Sequence, residues 1–116
     1  MERQPWFSAN LRLICLIQGQ GATRYQDSVY LFRATDFEAA FTRALALGAA
    51  GERAYRNGDD EEVRWRFKEV ISLDCVPHED LDGAEVYSGP VDLEEGVEIP
   101  FEATFNPEAS EPTHAI

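Results

Sequence analysis

Residues 61–73, Glu-Glu-Val-Arg-Trp-Arg-Phe-Lys-Glu-Val-Ile-Ser-Leu, constrain this chain more than any other segment. Val63, Trp65, Phe67, Ile71 and Leu73 fall on odd positions, while the even ones begin with Glu62, Arg64, Arg66 and Lys68. Apolar residues at every second position, mostly β-branched or aromatic, turn one face of a strand into a core and the other into water; a helix would need a repeat near 3.6. The segment therefore predicts a strand through the centre of a sheet. One position breaks the pattern. Glu69 lies on the apolar face between Phe67 and Ile71, where an unpaired carboxylate is costly. The expectation is a β-bulge near Lys68-Glu69, or a strand end, that re-aims the carboxylate outward.

The rest of the chain supplies partners for that strand. Trp6 to Gln18 reads as a first strand, with Phe7, Ala9, Leu11, Leu13, Cys15 and Ile17 on one face. Its other face turns apolar towards Ile14 and Leu16, so part of it should also be covered. Gly19 to Thr23 predicts a turn, and Asp27 to Ala34 a second strand, antiparallel to the first. Thr35-Asp36-Phe37-Glu38 is a capping box with Thr35 as the cap. The helix it opens carries Phe37, Ala40, Phe41, Ala44, Leu45 and Gly48 on one stripe and is expected to run towards Tyr55, ended by Asn57-Gly58-Asp59-Asp60. Pro77 to Gly83 is a polar loop, Ala84 to Ser88 a further strand, and Gly89-Pro90 a break. From Val97 to Phe105 every odd position is apolar, which predicts a strand that Pro100 confines to a sheet edge.

These elements give an α+β domain: an antiparallel sheet in order β-β-α-β-β with one helix packed on it, plus a C-terminal acidic edge strand. Residues 1–91 form the domain, and 92–116 an acidic extension with a strand at 97–105 and a frayed end. At 116 residues the chain is one domain, large enough for a core without staples. Two cysteines, Cys15 and Cys75, both inside expected strands, read as buried reduced thiols. No stretch reaches the length of a membrane span, and Met1 to Pro5 lacks the apolar core of a signal peptide. The cytoplasm is the expected location.

Charge divides the chain. The net charge is −12, yet all ten basic residues lie at or before Lys68, against nine acidic ones in the same stretch. From Glu69 onward there are thirteen acidic residues and no Lys or Arg. Such a field repels phosphate backbones and disfavours nucleic acid as a partner.

Several of these segments resemble a bacterial family of small domains, domain-of-unknown-function family 4288. The resemblance rests on Trp6-Phe7-Ser8-Ala9, on Ser28 to Ala34 running into Asp36-Phe37-Glu38-Ala39-Ala40, and on Val63-Arg64-Trp65-Arg66-Phe67. It continues through Leu73-Asp74 to Asp82-Gly83-Ala84-Glu85-Val86-Tyr87-Ser88, covering about residues 6–88. It implies a compact α+β domain and no catalytic residues. Members of the family end soon after the last of these segments, so the C-terminal strand and tail depart from the pattern, as does Glu69.

Chemistry is sparse. No nucleophile–base pairing stands out, and His78 and His114 are the only histidines. His78, Glu79, Asp80 and Asp82 lack the spacing of a calcium loop, and Gly19-x-Gly21 is too short for a phosphate-binding fingerprint. No metal or cofactor is expected, and no catalytic constellation is seen. The best site candidate is the wet face of the central strand, where Arg64, Arg66 and Lys68, joined by Arg12 and flanked by Trp6 and Tyr30, form a positive stripe. It offers an anion- or protein-binding face, or else pairs internally with Glu62, Glu85 or the acidic extension. The functional expectation is a protein-interaction module, accessory or immunity-like, working through its acidic half and the arginine face. Its partner is another protein or a second copy joined through the C-terminal strand. The alternatives are a small-anion or metabolite binder using Arg12, Arg64 and Arg66, and an enzyme of unknown class.

Overall fold

A computed structural model describes residues 3–89 and 91–112; His114 and Pro90 lie outside the described residues. The chain folds as a mixed α/β unit with one helix against one antiparallel sheet. The elements are β1 (Trp6–Ile17), β2 (Gly21–Arg33), α1 (Phe37–Ala50), β3 (Arg53–Arg56), β4 (Glu62–Val76) and a short 3-10 turn, η1 (Pro107–Ala109). The sheet order is β2-β1-β4-β3. β1 is therefore interior, paired along its whole length with β2 on one side and β4 on the other.

Alternation along β1 sorts the two faces. Phe7, Ala9 and Leu11 point to the inner face and bury with Phe32 and Ala34, beneath Ala40 and Ala44 of α1. Half-buried Tyr30, Leu47, Phe67, Val70 and Leu73 close that core. A second cluster of Leu13, Cys15, Val63 and Trp65 continues it along the same face.

The bulge expected near Lys68-Glu69 is present. Arg12 pairs with Glu69 and Leu13 with Phe67, so Lys68 is an extra residue, and Glu69 turns to the outer face opposite Arg12. A second bulge follows. Asn10 pairs with Ser72 and Leu11 with Val70, leaving Ile71 extra. Between the two bulges the phase of the strand is inverted, so Val70 and not Ile71 faces the helix. Ile71 is exposed.

The helix differs from expectation in its cap, its end and its buried side. Asp36 rather than Thr35 is the cap, its carboxylate accepting the Ala39 N–H at 2.8 Å. The stripe splits by size. Ala40, Ala44 and Gly48 are buried, whereas Phe37, Phe41 and Leu45 are largely exposed along one flank. Small residues let the helix lie close to the sheet, and the large ones cannot fit beneath it. α1 ends at Ala50, and Arg53–Arg56 forms β3 instead of a helix tail. The connection to β4 is a tight turn. The Asn57 side-chain oxygen accepts the N–H groups of Asp59 and Glu61 at 3.0 Å each, and Asp60 takes a positive φ of 60°. Asp tolerates that conformation because its short polar side chain bonds locally.

The strand after the helix is thus β3, and two expected strands are not strands. Residues 84–88 lie against the end of β4 without a ladder, and the two segments line a cleft of about 250 Å³. Residues 97–105 carry turn hydrogen bonds, Val97 N–H to Glu94 and Ala103 N–H to Pro100, in place of sheet pairing. Alternation makes a segment compatible with a strand but supplies no partner edge. Cys75 is exposed rather than buried, and Cys15 is buried at the opposite end of the sheet; both are free thiols.

The packing makes two predictions. A Cβ on Gly48 would stand 2.5–2.6 Å from three ring atoms of Phe67, whereas one on Gly58 meets nothing within 4 Å. With three ring atoms that close, Gly48→Ala should cost about 2–3 kcal/mol from overpacking, the upper part of the usual range, against a helix-propensity gain of ~1 kcal/mol. Gly58→Ala is the control in urea unfolding, and a Gly48→Ala protein as stable as wild type would mean the ring swings aside freely. Phe41 is 47% exposed, so Phe41→Ala should cost about 1 kcal/mol rather than the ~3–5 kcal/mol of a buried phenylalanine.

Candidate functional site

The register places the expected positive stripe and shows what has become of it. Glu62, Arg64 and Arg66 of β4 share the outer face with Leu16, Ile14 and Arg12 of β1, and beyond them with Tyr25 and Asp27 of β2. Arg12, Arg64 and Arg66 do come together on one face. Most of their charge is answered there. Arg12 grips Asp27 with two parallel hydrogen bonds of 2.8 and 2.9 Å, and its other amino group is 3.9 Å from Glu69. Arg64 holds Glu62 through bonds of 3.1 and 3.2 Å, and Lys68 lies 3.8 Å from Glu69. Arg66 alone of the four has no ion pair among the described residues.

The aromatic neighbours are not those expected. Trp6 is on the outer face but at the far end of the sheet, opposite Arg33 and Val76, with the Arg33 guanidinium 4.3 Å above its ring. Tyr30 pairs with Ala9 and belongs to the inner face. Tyr25 takes the place beside the stripe, 4.9 Å from Arg12 and 5.9 Å from Lys68. Tyr25 lies before the expected second strand, which begins at Asp27, so the alternation assigns it no face, and the pairing of Asp27 with Arg12 depends on a register that the sequence does not set.

The hydrogen bonds from Arg12 hold Asp27 below the ordinary carboxylate range, and the bonds from Arg64 do the same for Glu62. The Arg12 guanidinium is raised in turn, chiefly by its hydrogen bonds to Asp27. These are partly exposed pairs that tie neighbouring strand positions together.

A second cationic feature lies on the inner face, just past the end of the helix. Gly48 stands on Phe67 and Gly51 approaches Leu13, so α1 ends over the row formed by Gln26, Leu13 and Phe67. The next row crosses all four strands as Arg24, Cys15, Trp65 and Arg53. Trp65 is only 4% exposed although the helix stops short of it. Two arginines help to cover it, Arg24 from the β2 side at 5.8 Å from the ring centroid and Arg53 from the β3 side at 5.1 Å. The small Cys15 side chain leaves the space over which Arg24 reaches. The indole N–H donates to the Tyr55 hydroxyl at 3.2 Å, fixing the ring. Neither guanidinium has an ion-pair partner among the described residues.

This clamp was hidden in the sequence because Arg24 falls between the expected turn and strand, and Arg53 within the expected helix tail. The signal that could have found Arg53 was Asn57-Gly58, a hairpin dipeptide between two strand-compatible runs. Among the described residues no group of three or more His, Cys, Asp or Glu side chains is placed to hold a metal ion. No helix of the described residues is long and apolar enough to cross a membrane.

The family model named Domain of unknown function (DUF4288) matches residues 6–88, well over half of the chain. The chain belongs to the DUF4288 family. The matched span holds the whole sheet and α1, so the ion-paired outer face and the Trp65 clamp are both built on the DUF4288 domain, while residues 91–112 lie beyond it. No curated protein and no solved structure matches the chain.

The outer-face pairing has a pH signature. Asp27 gives up its proton more readily in the folded chain than in the unfolded one. The pair therefore adds stability above the unfolded carboxylate's pKa of ~3.9, and the contribution fades as pH falls through the lower folded value. Asp27→Asn should cost about 0.2–1 kcal/mol at neutral pH, with the difference from wild type vanishing in acid. Urea unfolding across a pH series measures this, and a pH-independent difference would assign Asp27 a packing role instead.

Proposed function

We propose that this chain is a protein-interaction module in which the DUF4288 domain carries an engaging element, the acidic C-terminal segment beyond it. One observation carries the reading. Every described residue from 91 to 112 is exposed except half-buried Ala103, and the exposed ones include Val91, Leu93, Ile99, Phe101 and Phe105. Phe101 is 99% exposed. Large apolar side chains left in water, interleaved with Asp92, Glu94, Glu95, Glu98 and Glu102, suit a segment that becomes ordered on a partner's surface. The strand-like alternation at 97–105 favours docking in extended form, with apolar residues to one side and carboxylates to the other. A partner for it presents apolar surface rimmed with cations.

The outer face of the sheet supports the same reading. No helix or strand of the described elements is layered on it.

Light-scattering mass and capture assays on the full chain and on a chain ending at residue 91 test the proposal. The full chain should associate with a protein partner, and the shortened one should not. Because the described residues among those removed are exposed, all but half-buried Ala103, the melting temperature should change by less than about 2 °C. Association that survives the truncation undiminished would sink the reading.

A further inference from the structure

We infer that Arg24, Trp65 and Arg53 form a docking site for the acidic C-terminal segment of a second copy of this chain. The inference rests on the interaction reading above and adds the partner and the place. A guanidinium held over an aromatic face keeps its in-plane N–H groups directed outward, and these are the donors that grip a carboxylate bidentately. The clamp offers two such forks, both without carboxylate partners among the described residues. Lying 5.8 and 5.1 Å from one ring centroid, they are separated by no more than the sum of those distances. An extended chain advances ~3.3 Å per residue, so carboxylates four positions apart span ~13 Å and can lean inward to meet them. Glu94, Glu98 and Glu102 have that spacing.

Apolar surface is at hand as well. Exposed Tyr55 and half-buried Ile17 border the clamp and offer apolar surface to the backbone and side-chain stems of a segment laid across it. Charge complementarity is one-sided in the required sense, since no cation follows Lys68 in the sequence. The topology favours a second copy over the segment's own domain. β4 ends at Val76, opposite Trp6, whereas the clamp row crosses β1 at Cys15, near the other end of the sheet. Within the single chain the segment remains exposed. Two copies related by a two-fold axis present each segment to the other's clamp, a reciprocal contact that closes at a dimer.

Reversing the charges tests this on the full-length protein, with mass followed by sedimentation or light scattering over a range of concentration and salt. Wild type should form a salt-sensitive dimer. Arg24→Glu with Arg53→Glu, and separately Glu98→Arg with Glu102→Arg, should each weaken self-association by roughly tenfold or more. An equimolar mixture of the two reversed proteins should recover a mixed dimer. Arg24→Lys with Arg53→Lys keeps the charge and guards against misfolding at Trp65, and should retain at least part of the association. A dimer that yields to reversal of the glutamates but not of the arginines overturns the clamp and leaves the role of the segment intact. A wild-type protein that stays monomeric overturns self-docking, while the interaction reading is then decided by capture of another protein through the same segment.

Discussion

The pairing of β1 with β4, and the two extra residues within it, is the constraint on which the rest of the structure depends. Lys68 and Ile71 each add one residue to β4 without adding one to β1, and each reverses which face the following side chains occupy. Two reversals restore the original phase. Trp65 and Phe67 before the first bulge, Val70 between them, and Leu73 after the second therefore all contribute to one core. A single bulge would have turned Leu73 and Cys75 to the outer face and Ser72 and Asp74 towards the helix. The same arrangement delivers Glu69 to Arg12, where a carboxylate gains a partner instead of losing its solvent.

Size governs the layer above. A helix can approach a sheet only as closely as its contact residues allow, and here these are Ala40, Ala44 and Gly48. The ring of Phe67 occupies the space that a side chain at position 48 would need. Close approach at that point leaves Phe37, Phe41 and Leu45 on the flank. The short helix then covers only part of the inner face. Over the remainder, arginine side chains serve as cover for Trp65, which keeps an aromatic ring dry and holds cations at the surface in one arrangement.

Much of this was legible in the sequence, and the failures share a cause. The period-two runs located β1 to within a residue and β4 to within three, because one buried face leaves an unambiguous mark. Glu69 announced its bulge by being the wrong residue for its face. Ile71 announced nothing, since Val70 and Ile71 are equally apolar and either could face the core. The helical stripe was located correctly, but hydrophobicity alone did not distinguish the side that packs from the side that is merely greasy; the distinction was steric. β3 was missed because Arg-Ala-Tyr-Arg has no strong period and followed a good helix. Residues 97–105 mislead in the opposite direction, with strand periodicity but turn hydrogen bonds in place of a ladder. Arg12, Arg64 and Arg66 do share one face, but Trp6 and Tyr30 do not flank them, and the register that brings Asp27 to Arg12 is visible only in the fold.

The bulges carry a further consequence, for solubility. β3 pairs only with residues 62–65, so among the described residues the remainder of that margin of β4 has no neighbouring strand. A flat margin of that length would be a template on which like chains could stack into fibrils. Two irregularities within four residues, beside the charged pair Lys68 and Glu69, twist that margin out of register with any straight strand brought alongside. The feature that keeps the core in phase thus also roughens this stretch of the sheet's edge as a template for another chain.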